Sequence, residues 1–232
     1  MNHTISRIRR FPGRSVGQRG NFIIEFAMVA PFLFMLLGGG FTLGMSLSNS
    51  IQASNVIRNA NVLMTRKIDL SRPENQQMLI RSAAGLGFNI PGTNTPNPSG
   101  KGAIILTKVI RVGPVQCSLG IPGWNGMPAS CPNHGVYVIA QRIGMGNTGR
   151  WNSAVGNPGT AVASDGELAD SDIANSSSNR AVGFPSTPTE AGIVYLEIDQ
   201  FTYVGELFAD FSSLTILPQF MSAPNLSIRN IS

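Results

Sequence analysis

Glu25 is the only charged side chain between Arg19 and Arg58, and it lies in an apolar stretch that opens at Phe22. A carboxylate at such an edge either sits near a helix N-terminus, whose partial positive charge favours it, or faces an opposite charge on a partner. Cys117, Cys131 and His134 form a second constellation. Zinc centres favour Cys pairs a few residues apart and four ligands in all. Here 14 positions separate the two cysteines and no fourth ligand stands nearby. A disulfide between Cys117 and Cys131 is the expected chemistry if this region lies in an oxidising compartment. Gly144-Met145-Gly146-Asn147-Thr148-Gly149 has the spacing of a dinucleotide-binding turn, which must open a helix. Gly156, Pro158 and Gly159 follow instead, with no helical period. His134 sits in the turn-forming Pro132-Asn133-His134-Gly135, with no Gly-x-Ser-x-Gly to pair with it. Glu197 and Asp199, two apart, read as the solvated face of a strand. These readings predict a protein that is not an enzyme, with no cofactor, no metal and no small-molecule substrate.

The residues that must position Glu25 form a long helix. From Phe26 to Leu47 there are 22 uncharged residues, enough to cross a hydrocarbon core of about 30 Å. A secretory signal peptide has a shorter apolar region, about 7–15 residues. Arg7, Arg9, Arg10, Arg14 and Arg19 precede the span, and no Lys or Arg lies from Gly20 to Ile57. That asymmetry places the N-terminus in the cytoplasm. Beyond the span, Ala53, Val56, Ile57, Ala60, Leu63 and Met64 recur at helical spacing, with Asn55, Arg58, Asn59 and Asn61 assigned to the opposite face. The spacing predicts one helix over 21–66, kinked at Pro31. Gly38, Gly39 and Gly40 either loosen its middle or admit close helix–helix contact.

The net charge of +5 belongs to the first 20 residues; after Gly20, 12 basic side chains balance 12 acidic ones. A topology signal of this kind is not a nucleic-acid-binding face. Charged residues make up only 12% of the chain, and 26 Gly and 15 Pro point to a loop-rich domain. Ser71-Arg72-Pro73-Glu74 reads as a capping box, opening a helix of roughly 13 residues that ends near Gly85 or Gly87. Strands are expected at Ala103–Val112, Val136–Ile143 and Ile193–Val204, with a weaker one at Leu226–Ile231. In the third, Val194, Leu196 and Ile198 would share one face. The fold class predicted is α+β: a long N-terminal transmembrane helix continuing into a small antiparallel β-sheet domain with long Gly/Pro/Ser-rich loops. Its parts are a basic cytoplasmic leader (1–20), the helix (21–66) and an extracytoplasmic domain (67–232), with 144–190 a long flexible insertion.

Residues 19–66, beginning Arg-Gly-Asn-Phe-Ile-Ile-Glu-Phe-Ala-Met-Val-Ala-Pro, resemble the N-terminal domain of TadE-like minor pseudopilins. These belong to bacterial tight-adherence (Flp-type) pilus assembly systems. The matching positions are Gly20, Glu25-Phe26 after four intervening residues, Pro31, Gly40, Gly44, and a helix end near Arg66. The resemblance implies that a prepilin peptidase cuts after Gly20, making Asn21 the mature N-terminus. Glu25, then fifth, and the adjoining Phe26 would be the assembly contact, with the Glu25 carboxylate meeting the N-terminal amine of a neighbouring subunit. The implied partners are inner-membrane lipid, other pilins or pseudopilins, Tad assembly components and the peptidase. The implied location is the bacterial inner membrane, with the C-terminal domain periplasmic or extracellular. Thr42, Leu43 and Met45 stand where many family members carry an acid and a base, and Asn21 is a polar first residue. The alternative reading is an uncleaved single-pass anchor for an extracytoplasmic binding module. In either reading, a periplasm-dependent reporter fused after Ser232 should be active, and one requiring the cytoplasm silent; the reverse result contradicts the topology.

Overall fold

The computed structural model describes residues 18–185, 194–210 and 225–231; the arginines from Arg7 to Arg14 lie outside them. The chain forms two compact units, divided between Gly44 and Met45. Helix α1 (Gln18–Thr65) supplies the described part of the first unit and continues into the second.

In the second unit, α1 meets an antiparallel sheet. Strands β1 (Gly102–Arg111), β2 (Tyr137–Gly146), β3 (Phe201–Asp210) and β4 (Asn225–Ile231) stand in the order β2-β1-β3-β4. Leu106 is opposite Ile143 on one side and Gly205 on the other, and a bulge interrupts the β1–β2 register between Lys108 and Val109. The stripe Ala53, Val56, Ile57, Ala60 and Met64 is buried against Ile104, Leu106, Ile143, Met145, Tyr203 and Leu207, with Leu63 packed at its edge. Full burial of a Val, Ile or Met side chain stabilises by about 1.5–3 kcal/mol. That is more than the intrinsic propensity of an exposed helix supplies.

Asn61 departs from the expectation that it faces solvent. It is 1% exposed, one helical turn beyond Ile57 on the buried face. Its Nδ2 donates to the backbone oxygen of Asn230 at 3.1 Å and to that residue's Oδ1 at 3.2 Å, tying α1 to β4. Periodicity sorts polar from apolar, so a buried amide with a distant partner escapes it.

Helix α1 stops in a Schellman turn. Ile68 N–H donates to Leu63 O at 3.0 Å and Lys67 N–H to Met64 O at 2.9 Å, with Lys67 at φ 59°. A non-glycine residue pays about 1–2 kcal/mol for that conformation. The capping box expected at Ser71 does not form. Arg72 holds the N-cap position of α2 (Pro73–Ser82) without a side-chain cap. The Asp69 carboxylate instead accepts from the Ser71 N–H and hydroxyl and from Arg72, while Asn75 and Gln76 donate to the backbone oxygens of Asp69 and Leu70. Those bonds, led by the Ser71 hydroxyl, hold the Asp69 carboxyl below its ordinary range.

The third expected strand is displaced. Residues 194–200 are not a strand: Asp199 is left-handed at φ 68°, Gln200 N–H donates to Glu197 O, and Val194 and Ile198 remain about two-fifths exposed. Glu197 and Asp199 therefore lie in a turn, not on a strand face. Strand β3 begins at Phe201 and is buried from Thr202 to Ala209. A strand covered on both faces has no alternation to read.

Its second cover is a layer of irregular chain. The helices α3 (Pro114–Gly120) and α4 (Asp170–Asn175) and the segment between β2 and α4 bring Cys117, Val155, Leu168 and Ile173 onto Val109, Ile139 and Val204. Trp151 stacks on Phe208 with ring centroids 5.4 Å apart.

Gly205 sets the spacing between α1 and β3. A Cβ there would stand 2.5 Å from Asn61 Oδ1 and 2.8 Å from Ile57 Cγ1. Gly205→Ala should therefore destabilise the domain by about 1–3 kcal/mol, read as a lower unfolding midpoint. An unchanged midpoint would show that the helix recedes without loss.

Candidate functional site

Gly20 and Asn21 lie in the first turns of α1, and the Asn21 side chain is outside what the structure describes. Glu25 and Phe26 follow about one turn later, both exposed. The exposed side chains from Phe22 onward are mostly large and apolar. Phe22 is 71% exposed, Met28 79%, and Phe34, Leu37 and Leu43 about two-thirds or more. A helix apolar all round is not stable in water, and Phe22–Thr65 holds a segment long and apolar enough to cross a membrane. Lipid, or the matching face of another helix, is what such a surface can bury against.

Pro31 lies inside α1, where it lacks the N–H that would complete the backbone ladder. Gly38, Gly39, Gly40 and Gly44 have open space where a Cβ would stand, so nothing described in this chain requires them to be glycine. Thr42 turns its hydroxyl back to the carbonyls of Gly38 and Gly39, at 3.1 and 2.8 Å. This is how a hydroxyl is satisfied within an apolar segment.

The other expected constellation belongs to the second unit. Cys117, in α3, and Cys131 are joined as a disulfide, with Cα atoms 5.8 Å apart. Both are buried. His134 N–H donates to Cys131 O, as a turn residue does. Asn133, fully buried, donates to Ile173 O and Ser176 O and accepts from Arg180, so the disulfide loop is fastened to α4. Gly144 and Gly146 finish β2, and a single 3-10 turn, Thr148–Arg150, follows. The helix that a dinucleotide turn must open is not there.

One ionic cluster escapes sequence reasoning. Glu206, in the middle of β3, is 2% exposed. Its carboxylate accepts from the Ser153 hydroxyl and from Ala154 N–H at 2.9 Å, and Arg229 Nε of β4 stands 3.7 Å away. Arg142, on β2, donates to Gly156 O. Burial lowers its guanidinium to about 10 against the opposing pull of Glu206. The available signal was a lone acid within Tyr203–Ala209, an otherwise apolar run. The cluster holds the chain after β2 onto the sheet, and its carboxylate is buried against that chain, so its geometry is that of a structural tie.

Residues 20–60 match the family model described as TadE-like protein, a family associated with tight-adherence pili. The match begins at Gly20 and takes in Glu25, Phe26, Pro31, Gly40 and Gly44, but not the cysteines or the sheet. No match to the chain is found among curated proteins or among solved structures.

Removing the buried carboxylate leaves the Ser153 hydroxyl and the Ala154 N–H without their acceptor, which costs about 1–3 kcal/mol. Glu206→Ala should lower stability by that amount and Glu206→Gln by less, since the amide oxygen still accepts. Denaturant midpoints of the two variants check the order; equal, small losses would show that the carboxylate is not what holds the segment.

Proposed function

We propose that the chain is a minor pseudopilin, a structural component of a tight-adherence pilus machinery, processed after Gly20 and held in the bacterial inner membrane by α1. The observation that carries this reading is the family match beginning at Gly20, with Glu25 five residues on, at the head of a helix that is almost wholly apolar from Phe26 to Gly44. The Arg asymmetry supports a cytoplasmic N-terminus and the disulfide supports an oxidising compartment for the second unit.

The physics of assembly follows from charge in an apolar setting. Cleavage after Gly20 leaves a cationic amine on Asn21. In a neighbouring subunit that amine meets the Glu25 carboxylate. At 4 Å and an effective dielectric of 20, the attraction is about 4 kcal/mol. Each charge left alone at the membrane edge is costly, so pairing fixes the axial stagger between helices while lipid-like packing fixes the rest. Phe26, beside the carboxylate, shields the pair from water. The peptidase, other pilins or pseudopilins and the Tad assembly components are the partners in this scheme. The role is structural, not catalytic.

Two substitutions separate processing from assembly. Gly20→Ala should leave insertion intact but block or slow cleavage, since a side chain is added at the scissile position. Glu25→Gln should insert and be cut normally yet lose association with pilus components. If Glu25 served only the helix end, its replacement would cost at most about 0.3–1 kcal/mol with assembly intact. N-terminal sequencing of membrane-extracted protein, with a piliation assay, decides. A wild-type chain still carrying residues 1–20, together with a fully functional Glu25→Gln variant, would leave an uncleaved membrane anchor as the better reading.

A further inference from the structure

Helix α1 does not cover the whole sheet. Past its Schellman turn at Lys67, the helix-side face continues as a row of Gln141, Lys108 and Tyr203 across β2, β1 and β3, followed by Phe201. This uncovered end floors a cleft of about 480 Å³, within the size range of small-ligand sites. Lys67 and the chain after it form one wall; Asp165 and Glu167, from the segment after β2, form the other.

The lining has a definite chemistry. Phe201 remains 49% exposed, although Lys108 Nζ lies 4.9 Å from its ring centroid and Tyr203 meets it edge-on at 5.5 Å. Lys67, Lys108, Asp165 and Glu167 are in no salt bridge among the described residues. Gln141 Nε2 donates to Asp165 O at 3.1 Å. Ammonium donors, carboxylate acceptors, an amide and a half-exposed aromatic ring thus share one cleft without neutralising one another.

From this juxtaposition we propose that the cleft is a binding site for a neutral saccharide. A sugar hydroxyl both donates and accepts, so one uncharged ligand serves the lysines and the carboxylates together, while the C–H face of its ring lies on the Phe201 ring. A peptide is the poorer fit. Bound peptides take an apolar anchor pocket or an unpaired strand edge. Here Gln141, Lys108 and Tyr203 interrupt the apolar lining of Ile68, Leu70, Ile143 and Phe201, so no continuous apolar pocket forms. The three strands are paired with one another, and the outer edge of β2 is itself engaged by Glu167 opposite Gln141. The proposal does not depend on processing at Gly20 or on assembly through Glu25.

The test uses the full chain in lipid nanodiscs, free of sugar-based detergent. Chitotetraose, cellotetraose and maltotetraose, and a peptide of alternating Lys and Glu, are titrated by calorimetry. At least one tetrasaccharide should bind saturably and the peptide should not. Phe201→Ala should weaken that binding about tenfold, the size of a lost aromatic contact, and Glu167→Gln several-fold. Both positions are exposed, so the unfolding midpoint should stay at the wild-type value. If Phe201→Ala shifts the midpoint, Glu167→Gln carries the test alone. Absence of saturable binding by all three saccharides, binding of the peptide in their place, or wild-type affinity in the interpretable variants overturns the proposal.

Discussion

Ile57 and Asn61 rest on the bare backbone of Gly205, and the sheet domain is organised around that close approach. With no Cβ on β3 at this point, α1 lies near enough for Val56, Ile57, Ala60 and Met64 to fill the groove over Leu106 and Leu207. The same proximity brings the Asn61 amide within reach of Asn230, so the last strand is held by the first helix, 169 residues away in sequence. A side chain at 205 would push on all these contacts at once, because a close-packed interior transmits strain instead of absorbing it.

Two layers then compete for one sheet. The helix face is closed by a regular apolar stripe. The opposite face is closed by irregular chain, which has no periodicity with which to hold position and relies on specific ties. Trp151 on Phe208 and Ser153 on Glu206 place successive alternate residues over successive alternate residues of β3. The Cys117–Cys131 bond and the Asn133–Arg180 contacts fasten the far end. A buried carboxylate is a poor source of net stability but a good source of specificity, since a misplaced segment would leave its charge without partners.

The first unit obeys a different solvent. From Phe22 to Gly44 its side chains are apolar apart from Glu25 and Thr42, whose hydroxyl is satisfied within the helix. In such a segment a single carboxylate gains weight, because little else is polar enough to specify a partner. The TadE-like match, residues 20–60, covers this segment and continues along the part of α1 that packs on the sheet as far as Ala60, while the four strands lie outside it. The proposed assembly contact thus belongs to the matched helix, and the proposed saccharide cleft to the strands beyond it.

By itself the sequence determined what local pattern can encode. The charge asymmetry, the apolar run, the stripe from Ala53 to Met64 and the positions of β1, β2 and β4 were legible within a residue or two at most starts, because each expresses one dominant period or composition. The cysteine pair was legible from its spacing and the lack of other ligands. Tertiary structure alone decided the rest. Asn61 is inside because its partner comes from the far end of the chain. Residues 194–200 turn despite their alternation, because Asp199 N–H is engaged by Arg111 O across the domain. Strand β3 is hidden in a run without alternation because both of its faces are covered. Glu206 is tolerated there only because Ser153, Ala154 and Arg229 converge on it. In each case the deciding energy comes from groups far apart in sequence, and a window of neighbouring residues holds no record of them.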